Sequence, residues 1–384
     1  MLEYMIQKSN YSKEARRTHL EHFGRLICFS LGTHPEGSTK STWQSCMNDD
    51  YTPVEFSWSW TASNQFPTVR YAVEPIGKLT GAVCDPYNIA ATNDLMKQLR
   101  VQAPRLDLSW FHYFNNLFSP ESCNGEFTTK ENTGSSRFIA VEPKGDGSIS
   151  AKAYFIPQGD KSNKLSVIAN AIRSLPGADS RLTDCVKHLS SFLSEYGIGP
   201  VPWAEMLGID CTHPSRARLK IYIRTEQTSF DSVLGMMMFP KNQLSAKETA
   251  KLRDFWYTIL GLEDSGNDSD SLPTNNHWTA GIIYHFDLRL NSSVPKIKVY
   301  IPVKHYGIND LVAAERFSKW LENNGRKLHD STYLDAVQSL CGHRALEEDL
   351  GFQTYFSAAL DGGELAVTAY LQPETYHSRR QKSV

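Results

Sequence analysis

Arg218-Leu219-Lys220-Ile221-Tyr222-Ile223-Arg224 alternates without a break between polar and apolar side chains. A β-strand sends successive side chains to opposite faces, so Leu219, Ile221 and Ile223 share one face while Arg218, Lys220, Tyr222 and Arg224 share the other. Lys296-Ile297-Lys298-Val299-Tyr300-Ile301 and Lys152-Ala153-Tyr154 follow the same rule. Outward from these segments, five pairs of alternating runs appear: 54–60 with 68–76, 137–142 with 148–156, 206–211 with 217–224, 277–286 with 296–303, and 352–360 with 364–371. Asp146-Gly147 and Asp361-Gly362 supply the turn chemistry that tight hairpins need. The 206–211 run is short and interrupted by Asp210. Two helix-like segments separate successive pairs: 88–102 and 106–118, 164–175 and 180–196, 228–238 and 245–262, then 309–324 and 331–346. Ser245 and Glu248 have capping-box spacing, and Gly261 follows as a stop signal. A further amphipathic segment, 12–31, precedes the first pair.

Five hairpins in series predict an α+β fold with about ten antiparallel strands. If helices cover the apolar face, closure into a barrel removes exposed strand edges and turns the polar face into a lumen. No low-complexity segment or long linker divides the chain, so residues 1–384 read as one domain, and 264–276 as a surface loop. Residues 372–384, ending in basic HSRRQKSV, read as a flexible tail.

The 384 residues include 40 Lys and Arg against 42 Asp and Glu, a formal charge of −2. That balance excludes a broad nucleic-acid surface, which needs a basic excess. No apolar run approaches the length of a membrane span, and MLEYMIQKSNYSKEARR lacks the apolar core of a signal peptide. The seven cysteines (Cys28, Cys46, Cys84, Cys123, Cys185, Cys211, Cys341) are scattered and form no CxxC pair, which fits free thiols in the cytoplasm.

The second strands would place Arg70, Lys152, Tyr154, Arg218, Lys220, Tyr222, Lys298, Tyr300 and Tyr370 in the lumen. A cation followed two residues later by tyrosine occurs in phase on three strands. Converging cations in a low-dielectric chamber call for an anion, and a diphosphate fits. Tyrosine faces beside it suit a carbocation. Together these are what ionisation of an allylic diphosphate requires: a stabilised leaving group, a sheltered cation and excluded water.

The segments Pro53-Val54-Glu55-Phe56-Ser57-Trp58, Val69-Arg70, Lys152-Ala153-Tyr154, Arg218-Leu219-Lys220-Ile221-Tyr222 and Lys298-Val299-Tyr300 resemble the dimethylallyltryptophan-synthase family of aromatic prenyltransferases. The resemblance runs from about residue 50 to 371. It implies an αββα barrel with ten strands inside a ring of helices. It also implies that Arg70, Lys152, Arg218, Lys220 and Lys298 hold the diphosphate, Lys298 standing where some members have glutamine. Tyr154, Tyr222, Tyr300 and Tyr370 would shield the allylic cation. Glu55 would accept a hydrogen bond from an indole N–H, making the ring more electron-rich as positive charge develops. Dimethylallyl diphosphate would be the co-substrate with no cofactor or metal required, the partners small molecules only, and the protein a monomer or homodimer.

Two positions depart from the family pattern. Ungapped spacing puts Ile139, with Arg137 beside it on the same face, where C4-alkylating members carry a lysine base. Neither residue is a good base, which leaves the attacked ring position open. Ala366 stands four residues before Tyr370, where a second tyrosine can occur, and its small size leaves room for a longer prenyl chain or for the acceptor. Asp49-Asp50 and Glu263-Asp264 lack the DDxxD pattern of Mg²⁺-dependent prenyl synthases and read as solvated turns. His213, His277, His285 and His305 read as strand-end or surface residues. Three alternatives stay open: a phenolic or polyketide acceptor on the same fold, a terpene cyclase that quenches the cation internally, and a non-catalytic binder of anionic aromatic ligands.

Overall fold

Period-two alternation in the five hairpin segments produces ten antiparallel strands. The computed structural model describes residues 1–33, 43–119, 134–196, 200–239, 243–262 and 266–380. Cys123 and Glu263-Asp264 lie outside them. The strands are β1 (Val54–Trp60), β2 (Thr68–Val73), β3 (Arg137–Pro143), β4 (Ile149–Phe155), β5 (Trp203–Asp210), β6 (Leu219–Thr225), β7 (Ile282–Leu288), β8 (Lys296–Ile301), β9 (Gln353–Asp361) and β10 (Glu364–Leu371). Each pairs with its neighbour in sequence, and β1 pairs with β10 to close the barrel. At the predicted turns Gly147 and Gly362 adopt φ of 83° and 64°, a left-handed conformation that glycine enters without a Cβ clash.

Helices ring the barrel. The Ser245–Glu248 capping box forms at the helix Ala246–Leu260, and Gly261 ends the helix in the left-handed conformation. The amphipathic segment at 12–31 is helical over Lys13–His22, then widens into a π-turn over Phe23–Ile27 and ends in a tighter 3₁₀ turn over Cys28–Ser30. The sequence reading missed two short helices, Leu2–Lys8 and Val303–Tyr306.

The main core lies between strands and helices. Leu219, Ile221 and Ile223 are fully buried there, as are Trp58 and Trp60 of β1. Phe317 of the helix Asp310–Asn323 stacks on Phe356 of β9, with ring centroids 4.3 Å apart and planes 9° apart. A second, smaller cluster sits on the other side of the sheet, inside the barrel. It consists of Tyr222, Ile283 and Tyr300, packed by Tyr154, Met206, Tyr355 and Tyr370. The polar face of the alternation is thus a lumen with an aromatic belt.

Two expectations need correction. Residues 372–380 are docked, not flexible: Glu374 is buried, accepts from Arg344 at 2.9 and 3.0 Å, and has φ of 49°. Thr375 N donates to Thr52 Oγ1, and Arg379 pairs with Glu348. Arg344 also binds Asp310, which accepts from the backbone of Phe352 and Gln353 at the start of β9. A buried charge network therefore clasps the end of the barrel.

The second correction concerns β3. Its register sets Ala140 opposite Lys152 and Phe138 opposite Tyr154, so those residues and Glu142 face the lumen. Ile139 and Arg137 face outward. Ile139 is fully buried in the outer core, and Arg137 donates to Asn115 Oδ1 and to the carbonyls of Ser136 and Phe118. Neither lines an acceptor pocket.

Candidate active site

The pleat of β2, β4, β6 and β8 brings the five predicted cations to one part of the lumen, and each keeps a partner. Arg70 Nε donates to Glu142 at 2.6 Å and Lys152 Nζ to the same carboxylate at 3.3 Å. Lys220 reaches Asp210 at 2.6 Å, while Arg218 binds Asp210 and, at 3.4 Å, Asp287. Lys298 differs. It donates to Thr368 Oγ1 at 2.8 Å, and among the described residues it pairs with no carboxylate. Three acids thus face five cations, which leaves a positive excess pointed into the chamber.

Burial and mutual repulsion show in the titration of these groups. Burial, then Arg70, pulls the Lys152 ammonium down to about 7 despite Glu142. Burial and the other four cations hold Lys298 well below the lysine range. The acids respond oppositely. Burial works against ionisation of Glu142 and Asp210, yet Arg70 and Lys152 at the one, and Lys220 and Arg218 at the other, keep both well below the carboxylate range. Buried cations crowded this closely are stabilised by an anion, and a diphosphate offers several acceptor oxygens at once.

Next to the cations, the predicted tyrosines form one connected belt. Ring centroids are 5.9 Å apart for Tyr154–Tyr222, 5.9 Å for Tyr222–Tyr300 and 5.6 Å for Tyr300–Tyr370. Gly208 makes room for it: a Cβ there would stand 3.0 Å from the Tyr154 ring and 3.3 Å from the Tyr222 ring. Tyr355 joins the belt from β9, a position the sequence reading left out. So does His285, which was expected at a strand end or surface. It faces the lumen from β7, with its ring 5.3 Å from Tyr222 and Nδ1 3.0 Å from the Tyr300 hydroxyl. The signal was present: Ile283, His285 and Asp287 alternate with Tyr284, Phe286 and Leu288.

Beyond the belt lies Glu55. Val54 and Phe56 bury outward, so the strand turns Glu55 inward, where Thr354 Oγ1 donates to it at 2.6 Å. Burial raises its carboxyl to about 7; Thr354 and Lys304 oppose the rise and Asp49 adds to it. Asp49 is no solvated turn residue, since Lys304 Nζ lies 2.9 Å from its carboxylate. Ala366 faces the lumen opposite Ala359, but on the side of Tyr370 leading away from Glu55. It borders the cation end, not the acceptor end.

Two groups of metal-type donors converge among the described residues, Asp49 with His277 and His305, and Cys341 with His343 and Glu374. Both carboxylates are already engaged by a cation, Lys304 in the first and Arg344 in the second. No helix among the described residues is long and apolar enough to cross a membrane.

Comparison with known proteins agrees with this geometry. Residues 1–336 match the family model described as tryptophan dimethylallyltransferase. A 4-O-dimethylallyl-L-tyrosine synthase of Claviceps purpurea is 36% identical, over 98% of this chain and 86% of its own length. Among solved structures, AnaPT from Neosartorya fischeri superposes with a TM-score of 0.79 at 21% identity, covering 97% of this chain and 91% of that one. The 5-dimethylallyl tryptophan synthase of Streptomyces coelicolor, in complex with DMASPP and Trp, gives 0.74 at 21% identity, covering 98% and 94%. With an αββα barrel, a cationic lumen and this extent of match, the chain belongs to the tryptophan dimethylallyltransferase family of aromatic prenyltransferases.

Proposed function

We propose that the chain transfers a dimethylallyl group from its diphosphate to an aromatic acceptor whose ring-borne N–H or O–H is held by Glu55, a tryptophan-derived indole being the first reading. The observation that carries it is the order of groups along the lumen: cations, then a tyrosine belt, then one buried carboxylate. Arg70, Lys152, Arg218, Lys220 and Lys298 would bind the diphosphate and take up the charge released as the C–O bond breaks. Tyr154, Tyr222, Tyr300 and Tyr370 would present their faces to the allylic cation. The ring, oriented by Glu55, attacks that cation and then loses a proton. The chain would act as one domain, because β1 and β10 close a single chamber.

A second reading, a phenolic acceptor of the tyrosine type, is favoured by two observations. The Claviceps purpurea relative is named for O-alkylation of L-tyrosine. A carboxyl lifted to about 7 is also well matched to accept a phenolic proton near neutral pH. The neighbouring Lys304–Asp49 pair offers one charge of each sign, which suits the zwitterion of an amino acid in either case.

Incubation with dimethylallyl diphosphate and L-tryptophan, L-tyrosine or their simple derivatives, followed by mass spectrometry and NMR of the products, tests both readings. A C- or N-alkylated indole supports the first and an O-alkylated tyrosine the second. Isoprenoid product formed without any aromatic acceptor would overturn both in favour of a cyclase.

A further inference from the structure

We propose that His285 is a catalytic residue of the diphosphate half-reaction: it becomes charged when the allylic diphosphate docks and donates from Nε2 to the departing oxygen. The inference rests on the diphosphate assignment above.

Geometry carries the argument. His285 pairs across the sheet with Lys298 on one side and with Tyr222 on the other. Lys220 is the next lumen residue along β6, and Asp287, next along β7, binds Arg218. The imidazole therefore sits at the boundary between the cation cluster and the tyrosine belt, where the C–O bond of a bound allylic diphosphate must lie. Nδ1 is anchored at the Tyr300 hydroxyl, and among the described residues Nε2 has no hydrogen-bond partner. The Tyr300 hydroxyl oxygen can accept Nδ1–H, and in that tautomer Nε2 is left directed at the ligand.

The charged groups facing His285 are Lys298 from β8, Lys220 from β6 and Arg218 just before it, Lys152 from β4 and Asp287 from its own strand. Burial first, then Lys298, Lys220, Arg218 and Lys152, keep the ring neutral in the ligand-free protein. A diphosphate reverses the field of those same cations. The site would take up one proton on donor binding, and the resulting imidazolium offers both N–H groups, one to Tyr300 and one to the ligand. When the allylic C–O bond breaks, its electron pair leaves on the diphosphate oxygen. That oxygen receives the Nε2 proton, returning the ring to its neutral form. Four cations near the developing charge make a further donor effective because it is aimed at the one atom whose charge changes most.

The test is ¹⁵N NMR of histidine-labelled full-length protein at neutral pH, free and saturated with dimethylallyl thiolodiphosphate, with the His285 signal assigned by its loss in His285→Gln. The expected result is a neutral ring in the free protein and an imidazolium in the complex. In parallel, kcat of His285→Gln should fall about 100-fold while KM for the acceptor stays within about twofold. A ring that stays neutral in the complex, or wild-type kcat in the variant, overturns the proposal. The NMR arm needs no variant to fold beyond assignment, and the wild-type complex alone gives the answer. Failure of the thiolodiphosphate to bind the wild-type protein would overturn the diphosphate assignment itself, whereas binding without protonation overturns only the role of His285.

Discussion

Replacing Lys298 with methionine should raise the stability of the ligand-free protein while impairing its chemistry. The ammonium is half-buried among four like charges, its only polar partner among the described residues is Thr368, and burial with that repulsion holds it well below the lysine range. Methionine fills similar volume without charge. Removing an uncompensated charge of this kind is worth about 1–2 kcal/mol. Unfolding entropy of about 2 cal/mol/K per residue gives about 0.8 kcal/mol/K for this chain, so Tm should rise by about 1–3 °C. A base whose folded pKa is depressed destabilises most below that pKa, and the penalty fades as pH approaches the ordinary value of 10.5. The gain in Lys298→Met should therefore shrink with rising pH. Catalysis should move the other way. One lost charge-assisted hydrogen bond of about 1.5–3 kcal/mol lowers kcat/KM for dimethylallyl diphosphate by about 10- to 150-fold. Scanning calorimetry and steady-state kinetics on the same preparation read both effects. A fall in Tm together with unchanged kcat/KM would refute the reasoning, because it would make Lys298 a structural lysine.

Three further outcomes are expected. Glu55 ionises near 7 because burial raises it, so acceptor turnover should climb with pH through about 7, while Glu55→Gln should be flat and about 100-fold slower in pH-dependent kinetics. Gly208→Ala places a methyl 3.0 Å from the Tyr154 ring; forcing that ring aside should cut kcat about tenfold in product assays, with thiolodiphosphate affinity by calorimetry kept within about twofold. Arg344→Met strands the buried carboxylates of Asp310 and Glu374, at a cost of about 3–5 kcal/mol, and should lower Tm by about 4–6 °C in a thermal melt.

The architecture was legible because the lumen is polar. A barrel filled with aliphatic side chains would show continuous apolar runs on its strands, whereas Arg218 to Arg224 announces both faces at once. β3 shows the limit of that signal. All seven of its residues are buried, so alternation says little about which face is which. Ungapped spacing against the family pattern lands on the outer face of β3, at Ile139 and Arg137, one position off the lumen residues Ala140 and Phe138. The acids escaped for another reason. Glu142 reaches Arg70 and Asp287 reaches Arg218 only through strand pairing, across 72 and 69 positions, while Asp210, which meets Arg218 and Lys220 within one hairpin, read as a weakness in its strand. Asp49 meets Lys304 in the same long-range way. His285 shares the lumen face of β7 with Ile283 and Asp287, so the alternation of that segment places it once both faces are assigned.

The seam between β1 and β10 has a consequence for how the molecule comes into being. Phe56 finds Leu371 across almost the whole chain, so the loop that must close is nearly as long as the protein. Until the last strand has been synthesised, β1 keeps an unpaired edge and the chamber stays open to water. Folding dominated by so distant a contact is slow, and the open intermediate exposes an edge on which another copy can add. Residues 372–380, pinned through Glu374 beside the start of β9, act after that last strand, as a latch that secures the vessel once it is shut.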